Sequence, residues 1–208
     1  MFVDPAADKS FRRGLLNELV APRPIGWIST VNLEGVANLA PFSHFNVVSS
    51  SPPAVMFSAN TPLDRERKDT VANVLALGEF VVNIASFSLR EQMVASSVPV
   101  PFGTDEFAVV GLEREPSVHV RPPRVAGTPA SLECRLLQVV TIEGRGDGES
   151  DSQVVFGRVV GIHMRDELVG PDGRFDTVRA EPVARLGGHR YVSTSKVFEL
   201  PPAFKARE

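Results

Sequence analysis

Lys68-Asp69-Thr70 opens a stretch, residues 70–77, in which Val71, Val74 and Leu75 recur at helical spacing before Gly78. A lysine cation and a threonine hydroxyl at the start of a helix suit a phosphate. Free N–H groups of the first turn and the helix dipole favour negative charge there. Asn38-Leu39-Ala40-Pro41-Phe42-Ser43 offers different chemistry. Its small residues and proline let a backbone approach a flat ring closely, and Ser43 adds a hydroxyl. Ser29 and Thr30 close the segment Arg23-Pro24-Ile25-Gly26-Trp27-Ile28-Ser29-Thr30 and add two more hydroxyls. Arg185-Leu186-Gly187-Gly188-His189-Arg190-Tyr191 brings cations, glycines and an aromatic ring. Each segment also has a plain structural reading. Ser29 and Thr30 suit a strand, Pro41 a strand end at a sheet edge, Asp69-Thr70 a helix cap, Gly187-Gly188 a turn and Tyr191 a core.

Other chemistries find little support. His44, His119, His163 and His189 are widely separated, and none is paired with a cysteine at ligand spacing. The Gly-x-Ser-x-Gly elbow, Gly-x-Gly-x-x-Gly and the phosphate-loop pattern are absent. Gly144, Gly146 and Gly148 cluster between two strand patterns and read as turn chemistry. Cys134, the only cysteine, lies in an apolar strand pattern and reads as a buried, inert thiol. No pair of carboxylates is marked as acid and base. Such a chain is either a binding or structural module or borrows its chemistry from a cofactor.

The elements that must position these groups are mostly strands. Residues 11–20 form a short amphipathic helix, with Phe11, Leu15, Leu16 and Leu19 on one face and Ser10 as its cap. Pro22 and Pro24 stop it. Residues 25–31 and 36–42 read as a hairpin around Asn32-Leu33-Glu34-Gly35, with Gly35 free to take a positive φ. Further strands are expected at 54–59 and 79–84, and a short helix at 89–95. Residues 97–130 are proline-rich and loop-like, with one strand at 117–120. Two long strands, 132–143 and 153–164, flank the glycine-rich turn. A last strand includes Tyr191-Val192, and the tail from Pro201 is polar and frayed. Antiparallel hairpins with few helices argue for a closed or nearly closed β-barrel.

Composition agrees. The 208 residues suit one domain, with a core large enough to need neither disulfide nor metal. Hydrophobic residues reach 43%, the globular average. No apolar run is long enough to span a bilayer, and Met1-Phe2-Val3-Asp4-Pro5 has no secretory pattern. A single cysteine fits a cytoplasmic location. The net charge of −3 argues against a nucleic-acid partner but leaves room for a local phosphate site.

The four segments, in this order and spacing, resemble the flavin reductase-like family. So do Ser51-Pro52-Pro53-Ala54-Val55-Met56-Phe57-Ser58, Gly78-Glu79-Phe80-Val81-Val82-Asn83-Ile84, Asp105-Glu106-Phe107 and Leu132-Glu133-Cys134. The resemblance implies a mainly β fold: an FMN-binding split β-barrel, antiparallel and Greek-key-like, with a few short flanking helices. It implies a split-barrel domain over 23–192, an N-terminal helix and extension over 1–22 and a tail over 193–208. The implied cofactor is FMN, bound by Ser29, Thr30, Asn38, Ala40, Pro41, Phe42, Ser43, Lys68, Asp69, Thr70, Arg185, Gly187 and Tyr191. Lys68, Asp69 and Thr70 sit at the phosphate end, and residues 185–191 close the site from the same chain or from the partner of a homodimer. The implied activity is an NAD(P)H-dependent flavin reductase in which the flavin carries the chemistry, with a monooxygenase or another electron acceptor as partner. A non-enzymatic FMN-binding electron carrier fits the same residues, and the related pyridoxamine-phosphate oxidases rank third. Two positions depart from the family: His44 stands where relatives often carry an aromatic residue, and Ser51 where many carry Asp.

Overall fold

The computed structural model describes residues 2–4, 14–61, 67–144, 150–194 and 196–200. In chain order the elements are α1 (Leu15–Leu19), β1 (Arg23–Pro24), β2 (Gly26–Val31), β3 (Ala37–Phe42), β4 (Phe45–Ser50), β5 (Pro53–Asn60), α2 (Asp69–Leu77), β6 (Glu79–Ile84), α3 (Arg90–Ala95), α4 (Glu106–Val109), β7 (Arg114–Glu115), β8 (Arg124–Val125), β9 (Ala130–Ile142), β10 (Ser152–Met164), β11 (Ala184–Arg185) and β12 (Tyr191–Val192). Seven strands form one antiparallel sheet in the order β3-β2-β6-β9-β10-β5-β4. Its two edge strands are neighbours in the chain, joined only by Ser43 and His44. The sheet curls until these edges approach. Ser58 N–H donates to the His44 carbonyl at 2.8 Å, and the Phe42 and Phe57 rings lie 4.9 Å apart. No ladder joins β3 to β4 among the described residues, so the barrel is split along this seam. Pro41 sits within edge strand β3, where a missing N–H costs no ladder bond.

Two apolar clusters flank β2. Ile28, Phe57, Phe80, Val71, Val74 and Cys134 pack inside the barrel, where α2 plugs one end. Trp27, Leu39, Met93, Phe107 and Val125 pack on the other face, beneath α3, α4 and β8. Every residue of β2 is therefore buried. Gly157 permits this packing: a Cβ there would lie 2.3 Å from Cζ of Phe80. The Cys134 thiol is fully buried, and burial pushes its pKa upward, as an inert thiol requires.

The hairpin of β2 and β3 turns at Gly35, φ 82°, and α2 ends at Gly78 in the left-handed conformation. Of the expected first helix, residues 14–20 are described and Leu15–Leu19 are helical, flanked by Gly14 and Val20; residues 11–13 and the expected cap Ser10 lie outside the described residues. Residues 145–149 of the glycine-rich turn, and the tail from Pro201, also lie outside them. The expected strand at 117–120 is absent. The N–H groups of Val118 and His119 donate instead to the Glu133 carboxylate, at 2.7 and 2.6 Å, and β7 pairs with β8 around this loop. No described helix is long and apolar enough to cross a membrane.

Candidate functional site

A cleft of about 340 Å³ opens between β3, the N-terminus of α2 and the loop that follows α3. Asn38, Ala40, Pro41, Lys68, Asp69 and Thr70 line it, with Ser96–Val100 opposite. Segments separated by more than twenty residues in the sequence thus meet in one place. Helix α2 is preceded by Lys68, whose backbone is extended and whose own side chain does not cap the helix. Thr70 does not cap it: its hydroxyl donates to Asn38 Oδ1 at 2.8 Å. The Lys68 ammonium lies 5.7 Å from the centre of the Phe42 ring. A helix start beside a lysine has the chemistry of an anion site.

Asn38 is the hub of the cleft floor. Its Oδ1 also accepts from Thr30 Oγ1 at 3.2 Å, and Thr30 in turn accepts from Asn73 Nδ2 at 3.0 Å. Its Nδ2 donates to Glu106 Oε1 at 2.9 Å, while Leu39 N–H donates to Glu106 Oε2 at 3.0 Å. Burial pushes the Glu106 carboxyl above its usual range; the Leu39 and Asn38 donors offset only part of that penalty. Glu106, Asn73 and the wall 96–100 are the parts that sequence reading did not place. Asn73 carried a signal, because it lies one helical turn from Thr70. Glu106 lay within the family-like Asp105-Glu106-Phe107 segment, with nothing to point it at Asn38.

Several expected site residues lie elsewhere. Ser29 and Thr30 are fully buried and do not reach the cleft. Thr30 supports it through Asn38. Ser29 belongs to a second network on the opposite face of β2: its hydroxyl donates to the Pro123 carbonyl at 2.6 Å and accepts from Asn83 Nδ2 at 3.1 Å. Phe42 is buried in the barrel core, and Ser43 sits at the bend between β3 and β4. His44 is not on a strand. Its Nε2 lies 2.9 Å from Asn17 Oδ1 of α1, and partial desolvation and the nearby Arg23 charge lower its pKa.

Residues 185–191 do not reach the cleft within this chain. β11 pairs with β1, setting Arg185 opposite Arg23. The Arg185 guanidinium donates to the Gly188 carbonyl and to the Tyr191 hydroxyl and stacks on the Tyr191 ring at 4.7 Å. A Cβ on Gly187 would lie 2.4 Å from Glu18 Cγ, so this glycine admits α1. Tyr191 lines a separate apolar cleft of about 450 Å³ with Phe87, Met93, Val94 and Val183. Local pairing thus holds this segment beside β1 and α3, outside the lining of the Lys68 cleft.

A split antiparallel barrel with an anion-suited cleft on its edge strand defines a class of small-molecule-binding β proteins. The sequence matches the flavin reductase like domain over residues 20–179, and the chain belongs to the flavin reductase-like family. An uncharacterized protein of Aquifex aeolicus is 38% identical over 191 residues, covering 92% of this chain and 94% of that one. Among solved structures, nitrilotriacetate monooxygenase component B from Bacillus cereus superposes with a TM-score of 0.89 at 30% identity, covering 96% and 98% of the two chains. The 2-nitrobenzoate 2-nitroreductase of Pseudomonas fluorescens superposes with a TM-score of 0.84 at 27% identity, covering 99% of each.

Proposed function

We propose that the cleft binds FMN and that the protein is an NAD(P)H-dependent flavin reductase. The convergence of Asn38, Ala40, Pro41, Lys68, Asp69 and Thr70 on one cleft carries this reading. Lys68 and the start of α2 would hold the phosphate. Ala40 and Pro41, on the edge strand, would let backbone meet the flavin closely. Asn38, locked by Thr30, Thr70 and Glu106, keeps one amide orientation for the ligand. Bound FMN would supply the hydride-accepting ring, and the protein's part would be to bind and orient.

Residues 185–191 would act from the partner of a homodimer, since their own chain keeps them apart from Lys68. Exposed Val47, Val48, Leu137 and Val140 supply apolar surface for such a contact. The similarity to a monooxygenase component B supports a monooxygenase as the recipient of reduced flavin. The location we favour is the cytoplasm.

Titrating the purified protein with FMN and with riboflavin tests the site. Lys68→Ala is expected to weaken FMN on the order of 1.5–3 kcal/mol and riboflavin far less; equal losses would remove Lys68 from the phosphate site. Anaerobic addition of NADH or NADPH to the flavin-loaded protein tests the reaction. Bleaching with either supports the reductase, whereas retained flavin that neither bleaches would leave an FMN-binding electron carrier.

A further inference from the structure

The Ser29 network ends at a second cleft. Asn83 Oδ1 accepts from Val125 N–H at 2.9 Å and from Ser131 Oγ at 3.0 Å, and Ser131 lies 3.2 Å from Thr128 Oγ1. Ser131 and Thr128 line a cleft of about 360 Å³ together with Glu115, Arg124, His163, Arg165 and Asp166. It shares no lining residue with the Lys68 cleft.

His163 is unusually well prepared there. Its Nε2 donates to Glu133 Oε1 at 2.5 Å, and Glu133 is fully buried. The same carboxylate accepts the N–H groups of Val118 and His119. Burial alone would raise the Glu133 pKa, but the Val118, His163 and His119 donors outweigh it and hold the carboxyl below its usual range. A carboxylate accepting at Nε2 keeps the proton on that nitrogen and so sets the tautomer and orientation of the ring. The other ring nitrogen, Nδ1, has no protein partner among the described residues. The fold thus holds an oriented imidazole at the wall of a cleft and uses only half of it.

Arg124 is the second half of the site. Its side chain is only 17% exposed; Nη1 pairs with Glu115 at 2.8 Å and Nε donates to the Pro116 carbonyl at 3.1 Å. Nη2 has no protein partner among the described residues. Arg165 adds a cation at the rim, paired with Glu167 at 2.6 Å. Glu115 and Asp166 also line the cleft; Glu115 engages the Nη1 edge of Arg124, which leaves Nη2 for a ligand. A group that meets a guanidinium N–H and a ring nitrogen backed by a carboxylate is best satisfied by an anion able to share a proton.

We propose that this second cleft binds a small organic carboxylate between the Arg124 guanidinium and the His163 imidazole. Glu133 acts as the positioning residue. The site is independent of the flavin reading, since it uses neither Lys68 nor Asn38.

Histidine-ring NMR spectra of the full-length protein, with benzoate as the probe and benzamide as its neutral counterpart, test the site. The His163 signals are identified by their loss in His163→Asn. Benzoate is expected to shift them saturably and benzamide to leave them in place. Arg124→Gln should weaken the benzoate response about tenfold or more, consistent with loss of a charge-assisted bond. Should Arg124→Gln fail to fold, Arg165→Gln at the rim is expected to weaken it by a smaller factor. Unmoved His163 signals, an equal response to benzamide, or full affinity in both arginine variants would overturn the site. Repeating the titration with saturating FMN separates the two clefts. An unchanged response supports a distinct site, and displacement of benzoate by FMN overturns it.

Discussion

Glu106 and Glu133 are both buried carboxylates beneath clefts, yet they are perturbed in opposite directions. Glu106 receives two N–H donors, from Asn38 and Leu39, and stands near the negative Asp69. Glu133 receives two backbone donors and an imidazole that can carry charge. At both acids burial favours the neutral form and hydrogen-bond donors oppose it; the donors outweigh burial at Glu133 and fall short at Glu106. What decides the protonation is whether the donors present repay the lost hydration. On this basis the Glu133 region is a rigid, charged support, and the Glu106 region a weakly held one beside a ligand cleft.

The largest expected effect is on the better-held acid. Glu133→Ala leaves two backbone donors and an imidazole without an acceptor. It should cost about 3–5 kcal/mol in denaturant unfolding, the range for breaking a buried pair. A loss below about 1 kcal/mol would mean that the loop 117–120 rearranges freely and that the contrast is false.

The pH dependence sharpens it. Glu133 has a lowered folded pKa, so its contribution is complete above the ordinary glutamate value and is lost as pH falls through the folded value. Glu133→Gln should therefore flatten the acid limb of the stability–pH curve. Glu106 has a raised folded pKa, so its contribution is complete below the ordinary value and is lost as pH rises through the folded one. Glu106→Gln should flatten the opposite slope. Unfolding curves across the acid range would reject the contrast if both variants changed the same limb.

At neutral pH, Glu106→Gln should cost only about 1–2 kcal/mol, because one of its two donors still finds the amide oxygen. Thermal or denaturant unfolding beside Glu133→Ala gives the ranking directly. The smallest effect is expected from Thr70→Val, about 1 kcal/mol, since Asn38 Oδ1 keeps Thr30 as a donor. Flavin titration of the same variant should show a loss of affinity larger than this stability loss if Asn38 orientation matters to the ligand.

Much of this was readable from local patterns. The strand Glu79–Ile84 and helix α2 carry their own periodicity and stop signals, and Lys68-Asp69-Thr70 is one contiguous segment. β4 escaped because Phe45-Asn46-Val47-Val48-Ser49-Ser50 neither alternates cleanly nor buries one face. The strand expected at 117–120 failed because a side chain fourteen and fifteen residues away took its backbone donors, a contact no local pattern encodes. Glu106 was missed for the same reason, since its partner Asn38 is 68 residues distant. Ser29 and Thr30 show the limit of reading residue types alone. Hydroxyls suited to a ligand are used up by the interior.

The neighbouring hydroxyls of β2 have a further consequence, for how the strand finds its place. A strand buried on one face is aligned by its alternation of apolar and polar residues, but β2 is buried on both and carries no such guide. Ser29 and Thr30 supply it. Sliding β2 by one residue would offer each hydroxyl to the wrong face and strand the amides of Asn73 and Asn83, both buried. The two asparagines thus proofread the alignment of the β2–β3 hairpin, and they do so whatever the clefts above them bind.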